Sequence, residues 1–587
     1  KEDQEYVDAI KESVRWMGFD WKQGTEDNLY HASDYFDWMY AFAEHLIKTG
    51  YAYVDEQSAD EMRANRGTLF EPGKNSPYRD RSPEENLRIF REMRDGKHPE
   101  GSMVLRAKID MASPNINLRD PAIYRIRFAE HQSTGNKWCI YPMYTFAHPI
   151  EDSLENITHS ICTLEFDDQR AFYDWALERI VPVLRTPQYE EAKRIIADMA
   201  AGKDDRALAF ARAAFNAADK LGQSEPEVAM REIFGRWSAT GGPETLEGTE
   251  GKSFFTLLQM NTENFTPLLQ SALSVVRNNF FLLSHQYEFN RLSLTYVVLS
   301  KRKLISLVQQ GLVDGWDDPR MPTLVGLRRR GFTPESLQHF AERCGVSRVA
   351  GGWIDYSVLE ASLREDLEDR AERRIAVLHP LKLIIDNYPE EKTEYFDIAN
   401  NPNREANDAT TRKVAFTREL WIENEDFAEV PPPKFKRLTI GGEVRLMGAY
   451  LVKCESVEKN PDGSIAAIHC TADIETGNGN PADGRKVKGT IHWVSAAHAV
   501  DAEVRLYDKL FTEANMNAIP EGSDYKDYLN PESVTVRTHC KLEESLKDAK
   551  PGEKFQFVRT GFFTPDSKNP GVYNRVVTLR DSFKPAK

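Results

Sequence analysis

The stretch Tyr296-Val-Val-Leu-Ser-Lys-Arg-Lys303 sets a small serine, Ser300, between Leu299 and two cations, Lys301 and Arg302. A mobile loop that closes over a polyphosphate needs this composition, because ammonium and guanidinium groups form strong hydrogen bonds with phosphate oxygens. Basic triplets are also common on solvated surfaces, so the triplet alone is weak evidence for a phosphate clamp. The neighbouring sequence has to distinguish the two interpretations.

The pattern around this stretch changes from helical to extended. Residues 291–370 have a helical pattern and carry basic clusters such as Arg328–Arg330. Beyond about residue 371, extended runs alternate with turns such as Asn460-Pro-Asp-Gly463, and one run alternates through Val487, Gly489, Ile491 and Trp493. The C-terminal third is therefore predicted to be β, in the form of barrels.

The N-terminal part mixes helices with short strands. Residues 1–50 are predicted to form helices packed on a core, and residues 66–83 a basic loop rich in turn formers. Residues 104–146 alternate short β-rich runs with turns. A strand within 157–166 leads into a helix over 168–180 whose inward positions are Phe172, Trp175, Ala176 and Ile180. A strand followed by a helix fits a nucleotide-binding α/β unit.

Composition narrows the class of protein. With 587 residues, 41% of them hydrophobic, the chain is long enough for three or four domains. It contains no run of eighteen apolar residues and begins without a signal region, so no membrane partner and a cytoplasmic location are expected. The six cysteines include no CxxC pair, so they are expected to be reduced thiols, and no metal-binding residues are predicted. A net charge of −16 argues against nonspecific binding along nucleic acids. The same net charge is compatible with a basic stripe on one face of the protein.

Five segments, taken together and in this order, resemble the bacterial glutaminyl-tRNA synthetases, which are class I aminoacyl-tRNA synthetases. The resemblance covers residues 1–188 and 287–587. The segments are Lys137-Trp-Cys-Ile-Tyr-Pro-Met-Tyr144, Ile157-Thr-His-Ser-Ile-Cys-Thr-Leu-Glu-Phe166, Val298-Leu-Ser-Lys-Arg302, Gly315-Trp-Asp-Asp-Pro-Arg-Met-Pro-Thr323 and His492-Trp-Val-Ser-Ala-Ala-His498.

The resemblance implies a multidomain α/β plus β protein. A partial Rossmann-type catalytic domain would comprise residues 1–32, 144–188 and 287–300, and an α/β acceptor-stem subdomain would comprise residues 33–143. A helical connector would follow over 301–370, and two anticodon-binding β-barrels over 371–587, the distal one at about 400–480.

The implied reaction consumes ATP with Mg²⁺. Glutamine would be adenylated and then transferred to the terminal adenosine of tRNA(Gln) by a monomeric enzyme without a covalent enzyme intermediate. Lys301 would stabilise the departing pyrophosphate, with Leu299, Ser300 and Arg302 in the same loop. The residues implied for the ATP site are Thr163, Arg291 and Leu292.

The resemblance places Tyr144, His148 and Cys162 at the glutamine side chain. A pocket for glutamate needs a cation, whereas a neutral cysteine suits an amide that both donates and accepts hydrogen bonds. Cys162 therefore favours glutamine, although a glutamyl-tRNA synthetase of the related subgroup remains the alternative.

The same resemblance implies two sets of tRNA contacts. At the acceptor end, Leu69 would act as a wedge at the first pair, and Pro114 and Asp168 would contact the minor groove, where a carboxylate accepts from the guanine amino group. Around the anticodon, Lys434 and Met447 replace the glutamine and arginine usual in the family. The implied anticodon residues are Arg373, Lys434, Lys436, Arg437 and Arg445.

One departure concerns the HxGH motif that class I synthetases carry in the first strand-to-helix turn. None of the thirteen histidines has this context, and the chain begins just downstream of the turn's expected position. We expect either a truncation or a missing segment on another chain, and no aminoacylation by this chain alone. A non-catalytic tRNA-binding protein is therefore a further alternative.

The other departure is an insertion over about 189–286. Gln188-Tyr-Glu190 recurs as Gln286-Tyr-Glu288, so only one of Gln188 and Gln286 can occupy the family's glutamine-pocket position. The inserted stretch has a helical pattern that resembles no family known to us, and it is expected to form a small helical core or a partner site.

Overall fold

The computed structural model describes residues 4–180, 285–403 and 409–580, apart from positions 25, 156, 158, 350, 351 and 482. Nearly all of the predicted insertion, including Gln188, lies outside these residues. The chain divides into two compact units. The first contains Lys1–Val7, Asp20–Arg291 and Val346–Ala350, and the second contains Asp8–Phe19, Leu292–Gly345 and Gly351–Lys587.

The first half of the described chain alternates helices with short strands. In chain order these are α1 (Gln4–Trp16), β1 (Lys22–Gln23), β2 (Glu26–Asp27), α2 (Phe36–Lys48), β3 (Ala52–Asp55), α3 (Ala59–Asn65), α4 (Pro83–Arg94), β4 (Val104–Ala107), β5 (Ala122–Ile126), β6 (Ile140–Pro142), α5 (Tyr144–Leu154), β7 (His159–Thr163), α6 (residues 170–180) and β8 (His285–Phe289).

An antiparallel sheet of order β3-β4-β5-β6 forms the centre of the first unit. The helices α2 and α4 bury one face each against it, and Phe42, Phe90 and Tyr124 are almost completely buried there. Helix α4 begins where the sequence signals it, because Ser82 Oγ accepts a hydrogen bond from Glu85 N and proline occupies the first turn. The predicted loop lies between α3 and α4.

A two-stranded parallel sheet, β7 with β8, positions the candidate site of the first unit. Each residue from His159 to Thr163 lies opposite a residue from His285 to Phe289. Helix α6 follows β7, and its residues Phe172, Trp175, Ala176 and Ile180 are buried, as predicted. Parallel strands cannot be joined by a tight turn, which is why these two lie far apart in sequence.

The second unit continues with a helical segment. Its elements are β9 (Ser293–Leu294), α7 (Lys301–Gln309), α8 (Leu324–Arg330), α9 (Pro334–Cys344), β10 (Trp353–Ile354) and α10 (Tyr356–Arg370). Helix α8 starts at the cap Thr323, whose hydroxyl accepts from Gly326 N, and ends at Gly331, where φ is 117°. A left-handed terminal residue of this kind favours glycine.

Two seven-stranded, nearly closed sheets complete the second unit. Their strands, with the separate hairpin β14–β15, are β11 (Glu372–Arg374), β12 (Ala376–Val377), β13 (Pro380–Ile385), β14 (Glu394–Ala399), β15 (Thr411–Phe416), β16 (Glu419–Glu423), β17 (Glu443–Leu446), β18 (Leu451–Lys459), β19 (Ile465–Ala472), β20 (Thr490–Ile491), β21 (Trp493–Ser495), β22 (Val500–Tyr507), β23 (Val534–Leu542), β24 (Phe555–Phe557), β25 (Gly561–Pro565) and β26 (Val572–Thr578). One sheet has the order β20-β17-β18-β19-β13-β16-β21, and the other has the order β11-β24-β25-β26-β22-β23-β12.

The β-rich C-terminal third and the helical segment before it are confirmed, with two local corrections. The run through Val487 becomes a strand only at Thr490. Gly489, just before it, has φ of 111°, and a Cβ there would stand 2.2 Å from the carbonyl oxygen of Lys436. The prediction that α1 packs on a core is wrong, since none of its residues is buried. Polar contacts hold this segment instead: Arg328 Nη1 donates to Glu12 Oε1, and Gln338 Nε2 to Met17 O.

Among the described residues, none of the helices combines the length and apolar character needed to cross a membrane.

A buried ion pair joins α8 to the end of β25 within the second unit. Arg329 Nε lies 3.0 Å and its Nη2 3.2 Å from the two carboxylate oxygens of Asp566. Burial alone would raise the pKa of Asp566, but hydrogen bonds from Asn574 and Arg329 outweigh it and lower that pKa to about 2.

We expect Asp566→Ala to lower the free energy of unfolding of the second unit by about 3 kcal/mol, because the buried Arg329 loses the carboxylate that accepts two of its hydrogen bonds. Its Nη1 keeps the contact with Asp314. The folded-state pKa lies below that of an unfolded aspartate, so the stabilisation is present above about pH 4 and is lost as the pH falls toward 2. Thermal denaturation followed by circular dichroism measures the effect. Asp548→Ala, at an exposed aspartate, is the control, and equal denaturation temperatures for the two variants would contradict the assignment.

Candidate active site

A polar network in the first unit connects α5 to β7 and α6. His148 Nε2 lies 3.0 Å from Ser160 Oγ and 3.1 Å from Asp152 Oδ2. Tyr173 donates its hydroxyl to Asp152 Oδ2 at 3.0 Å. Burial works to raise the pKa of Asp152, but hydrogen bonds from His148, Ser160 and Tyr173 outweigh it and lower that pKa. Asp152 is therefore a carboxylate that fixes the orientation of the His148 ring.

Tyr144 lies at the first turn of α5 and remains 57% exposed. Its ring stacks on His148, with the centroids 5.4 Å apart, and its other aromatic neighbour is Phe166 at 5.7 Å. Burial, followed by the charges of Glu151 and Asp152, raises the pKa of Tyr144. The phenol is thus a neutral hydroxyl that can donate a hydrogen bond to a ligand.

The register of β7 and β8 brings Cys162 opposite Glu288 and Ser160 opposite Gln286. Gln286 Nε2 donates to Phe166 O and to Glu288 Oε1, both at 3.0 Å. These two bonds fix the direction of the Gln286 amide beside the predicted pocket residues. Gln188, the other candidate for the pocket, lies outside the described residues.

Carboxylates dominate the electrostatics around Cys162. Burial, followed by the charges of Glu288, Asp152 and Asp167, raises the pKa of its thiol to about 11. Glu288 is buried, and its Oε2 has no hydrogen-bond donor among the described residues. Arg348 Nη2 lies 3.4 Å from that oxygen but is closer to Asp167, at 3.0 Å. Arg348 is therefore shared between two acids.

Two of the residues predicted for ATP, Thr163 and Arg291, lie at the carboxyl ends of these parallel strands. Thr163 ends β7 and donates its hydroxyl to Glu165 Oε1 at 2.9 Å, while Arg291 follows β8 by two residues and is exposed. Ligands of open α/β sheets bind at this end of the strands. Leu292, in the second unit, is partly buried against a core that includes Leu359 and Leu363.

The predicted phosphate loop leads directly into α7 in the second unit. Ser300 is the residue before the helix, but its side chain forms no capping hydrogen bond. The first turn contains Lys301, Arg302 and Lys303 and no acid. Cations are unfavourable there because the N-terminal end of a helix carries partial positive charge. An anion at this position would relieve the repulsion, as it does at other helix N-termini.

The residues predicted for the tRNA acceptor end belong to two loops and to a 3₁₀ helix (Leu164–Gln169) of the first unit. Leu69 is 72% exposed, and Pro114 and Asp168 are exposed as well. Asn115 Nδ2 donates to Asp168 O at 2.7 Å, which connects the loop of Pro114 to the 3₁₀ helix of Asp168.

The residues predicted for the anticodon differ in how available they are. Lys434 and Lys436 are exposed and form no ion pair among the described residues. Arg437 pairs with Asp426 at 3.0 Å, and Arg445 donates to Ala449 O at 3.1 Å. Arg373 is buried, with its Nη2 2.7 Å from Glu368 Oε1, so it anchors the start of the β region.

Sequence reasoning missed Asp152, Ser160 and Glu288. Spacing was a signal for each of them, because residues four apart on a helix or two apart on a strand share a face. Asp152 follows His148 by four residues, Ser160 precedes Cys162 by two, and Glu288 follows Gln286 by two. The position of Glu288 opposite Cys162 had no signal, because the two strands are remote in sequence.

Comparison with known proteins agrees with this architecture. Residues 1–223 and 259–369 match the catalytic domain of the class I tRNA synthetases (E and Q), and residues 371–473 and 490–566 match two models of their anticodon-binding domains. A glutamine–tRNA ligase of Bordetella pertussis is 48% identical over 594 aligned residues, covering 100% of this chain and 84% of its own. One of Cupriavidus taiwanensis is 46% identical, covering 99% and 84%.

The catalytic and anticodon-binding matches together define a class I aminoacyl-tRNA synthetase. The chain belongs to the glutamate and glutamine family of these enzymes.

The raised pKa of Cys162 predicts slow alkylation of its thiol. At about pH 8 the thiolate fraction should be roughly two orders of magnitude below that of an unperturbed cysteine, and the rate should rise with pH up to about 11. Mass spectrometry after timed iodoacetamide treatment, on folded and on urea-unfolded protein, measures this rate. Equal rates in the two states at pH 8 would contradict the assigned environment.

Proposed function

We propose that the protein is a glutamine–tRNA ligase that adenylates glutamine with ATP and transfers it to the 3′ end of tRNA(Gln). The observation that carries the choice of amino acid is the strand register that sets the Cys162 thiol opposite the buried carboxylate of Glu288. Family membership leaves glutamine and glutamate as candidates, and these differ by one charge at the end of the side chain.

The charges near Cys162 disfavour glutamate. Glu288, Asp152 and Asp167 raise the pKa of the thiol, and the same fields would repel a substrate carboxylate. Arg348, the described cation beside them, already contacts Asp167 and Glu288. A neutral amide avoids this repulsion and can accept from the Tyr144 hydroxyl while donating to nearby acceptors. The name shared by the relatives points to the same amino acid.

The phosphate chemistry requires positioning and charge stabilisation. The glutamine carboxylate attacks the α-phosphate in line, and pyrophosphate leaves with the negative charge that Lys301 stabilises. Magnesium enters with the substrate as MgATP, because this ion is usually held by phosphates and one or two carboxylates. The described residues contain no cluster of three or more potential ligands that would hold it independently.

The tRNA contacts follow from the exposed residues of both units. Leu69, Pro114 and Asp168 form the acceptor contacts, and Lys434 and Lys436 are exposed cations available to the anticodon loop. Arg373, Arg437 and Arg445 shape that surface through their internal contacts. The enzyme acts as a monomer in the cytoplasm, and sedimentation with and without tRNA tests the first of these two statements.

The carboxylate opposite Cys162 predicts how amino acid selectivity changes in a variant. Glu288→Gln keeps an acceptor for Gln286 Nε2 but removes one negative charge, so discrimination against glutamate should weaken by about ten- to a hundredfold. The ratio of kcat/KM for glutamine and glutamate, measured by tRNA charging with the full-length enzyme, reports it. Glu178→Gln, at an exposed position on α6, is the matched control. An unchanged ratio in Glu288→Gln would remove the electrostatic basis of the proposal.

The role of Lys301 predicts separate effects on chemistry and on binding. Lys301→Ala should lower the rate of adenylation by about 10²- to 10³-fold, because a charge contact made in the transition state is lost, while tRNA affinity changes little. Single-turnover adenylation and filter binding measure the two quantities. Lys303→Ala is the control, since Lys303 Nζ lies 5.1 Å from the Tyr525 ring centroid. Equal losses of rate and affinity in Lys301→Ala would refute the assigned role.

A further inference from the structure

Phe70 is 95% exposed, which makes it the most exposed of the large apolar side chains that the structure describes. It follows Leu69, which is 72% exposed, at the tip of the loop between α3 and α4. Leu69 has a predicted role as a wedge, but Phe70 has none. Two adjacent apolar side chains in water are unfavourable unless a partner covers them.

The exposure of Phe70 does not come from a loosely held loop. The buried guanidinium of Arg119 donates from Nη1 to three carbonyl oxygens, those of Arg66, Thr68 and Glu71, at 2.8 to 2.9 Å. Thr68 Oγ1 accepts from the backbone N–H of Phe70 at 3.2 Å and of Glu71 at 3.1 Å. The backbone therefore holds both side chains outward before any partner arrives.

Gly67 is required for this tight turn. Its φ is 76°, and a Cβ at this position would stand 2.6 Å from the carbonyl oxygens of both Glu71 and Pro72. A larger residue would have to open the loop. Sequence and hydrogen bonds thus agree in fixing the conformation that displays Phe70.

The charges beside the tip indicate the chemistry of the partner. Arg66 and Lys74 are exposed on the two sides of the loop, and neither forms an ion pair within the described parts of the chain. An exposed aromatic ring on a loop that also carries two exposed cations suits a ligand that joins a flat aromatic group to phosphates. A nucleotide at the end of an RNA strand has this combination.

We propose that Phe70 is a second acceptor-end contact, whose ring stacks on the base released when Leu69 opens the first pair. This inference rests on the proposed function, since it assumes that tRNA is the partner. The two adjacent side chains have different roles. Leu69 separates the bases, and Phe70 supplies a surface for the base that has lost its stacking partner.

Aminoacylation kinetics with two forms of tRNA(Gln) separate these roles. One form has an intact first acceptor pair, and the other has a mismatch there, so that its bases are already apart. With the full-length enzyme, Phe70→Ala should lower kcat/KM by about 5- to 150-fold on both forms, because the stacking surface is lost in either case. Leu69→Ala should lower kcat/KM on the paired form, whereas on the mismatched form its kcat/KM should equal that of the unmodified enzyme.

Two further variants identify stacking as the cause. Phe70→Tyr keeps an aromatic face and should retain the kcat/KM of the unmodified enzyme on both forms. Phe128→Ala, which removes another partly exposed phenylalanine of the first unit, should leave kcat/KM unchanged.

Several outcomes would overturn the inference. These are full activity in Phe70→Ala, recovery of Phe70→Ala on the mismatched form, or a loss in Phe70→Tyr equal to that in Phe70→Ala. Self-association of the unmodified protein that Phe70→Ala abolishes in sedimentation would instead identify a second copy as the occupant. Failure of the unmodified enzyme to charge either tRNA with glutamine would refute the proposed function, which is a distinguishable result.

Discussion

The register of β7 against β8 is the constraint on which the candidate amino acid site depends. It sets Cys162 opposite Glu288 and Ser160 opposite Gln286, although the paired residues are separated by more than a hundred positions. Because side chains alternate along a strand, a shift of β8 by one residue would turn Gln286 and Glu288 to the other face. The thiol would then lose the carboxylate that lies opposite it. The parallel ladder therefore fixes the chemistry of the pocket along with its shape.

The buried carboxylate of Glu288 gives this register an electrostatic consequence. A buried charge is costly unless it is paired, and Glu288 has Arg348 at 3.4 Å from one oxygen and the Gln286 amide at 3.0 Å from the other. Because Arg348 also contacts Asp167, the negative charge near Cys162 is only partly compensated. A buried acid whose charge is only partly compensated lowers the stability of the fold. The same charge favours a neutral amide ligand over a competing carboxylate, because it repels the carboxylate.

Local patterns predicted the elements better than they predicted the contacts between them. The strand–helix sequence from β7 to α6, the helical segment up to Arg370 and the β-rich C-terminal third all carry periodicities that a single sequence shows. By contrast, the pairing of β7 with β8 depends on residues remote in sequence, so the position of Glu288 opposite Cys162 could not be predicted. The prediction that α1 packs on a core was wrong for a related reason. Helical spacing identifies the apolar face of a helix, but it does not show which residues cover that face.

The residues assigned to function lie in local arrangements that are energetically unfavourable. Helix α7 begins with three cations where helix electrostatics favours acids, and Ser300 forms no capping bond. Tyr296, just before the loop, has φ of 61°, a left-handed conformation that a bulky residue rarely adopts. Phe70 is exposed to water by a backbone that Arg119 and Gly67 hold in place. In each case the rest of the chain maintains a local arrangement that is unfavourable in isolation. Such arrangements are visible only when a side chain is compared with its surroundings, which is why a basic triplet or a lone phenylalanine carries so little information in the sequence alone.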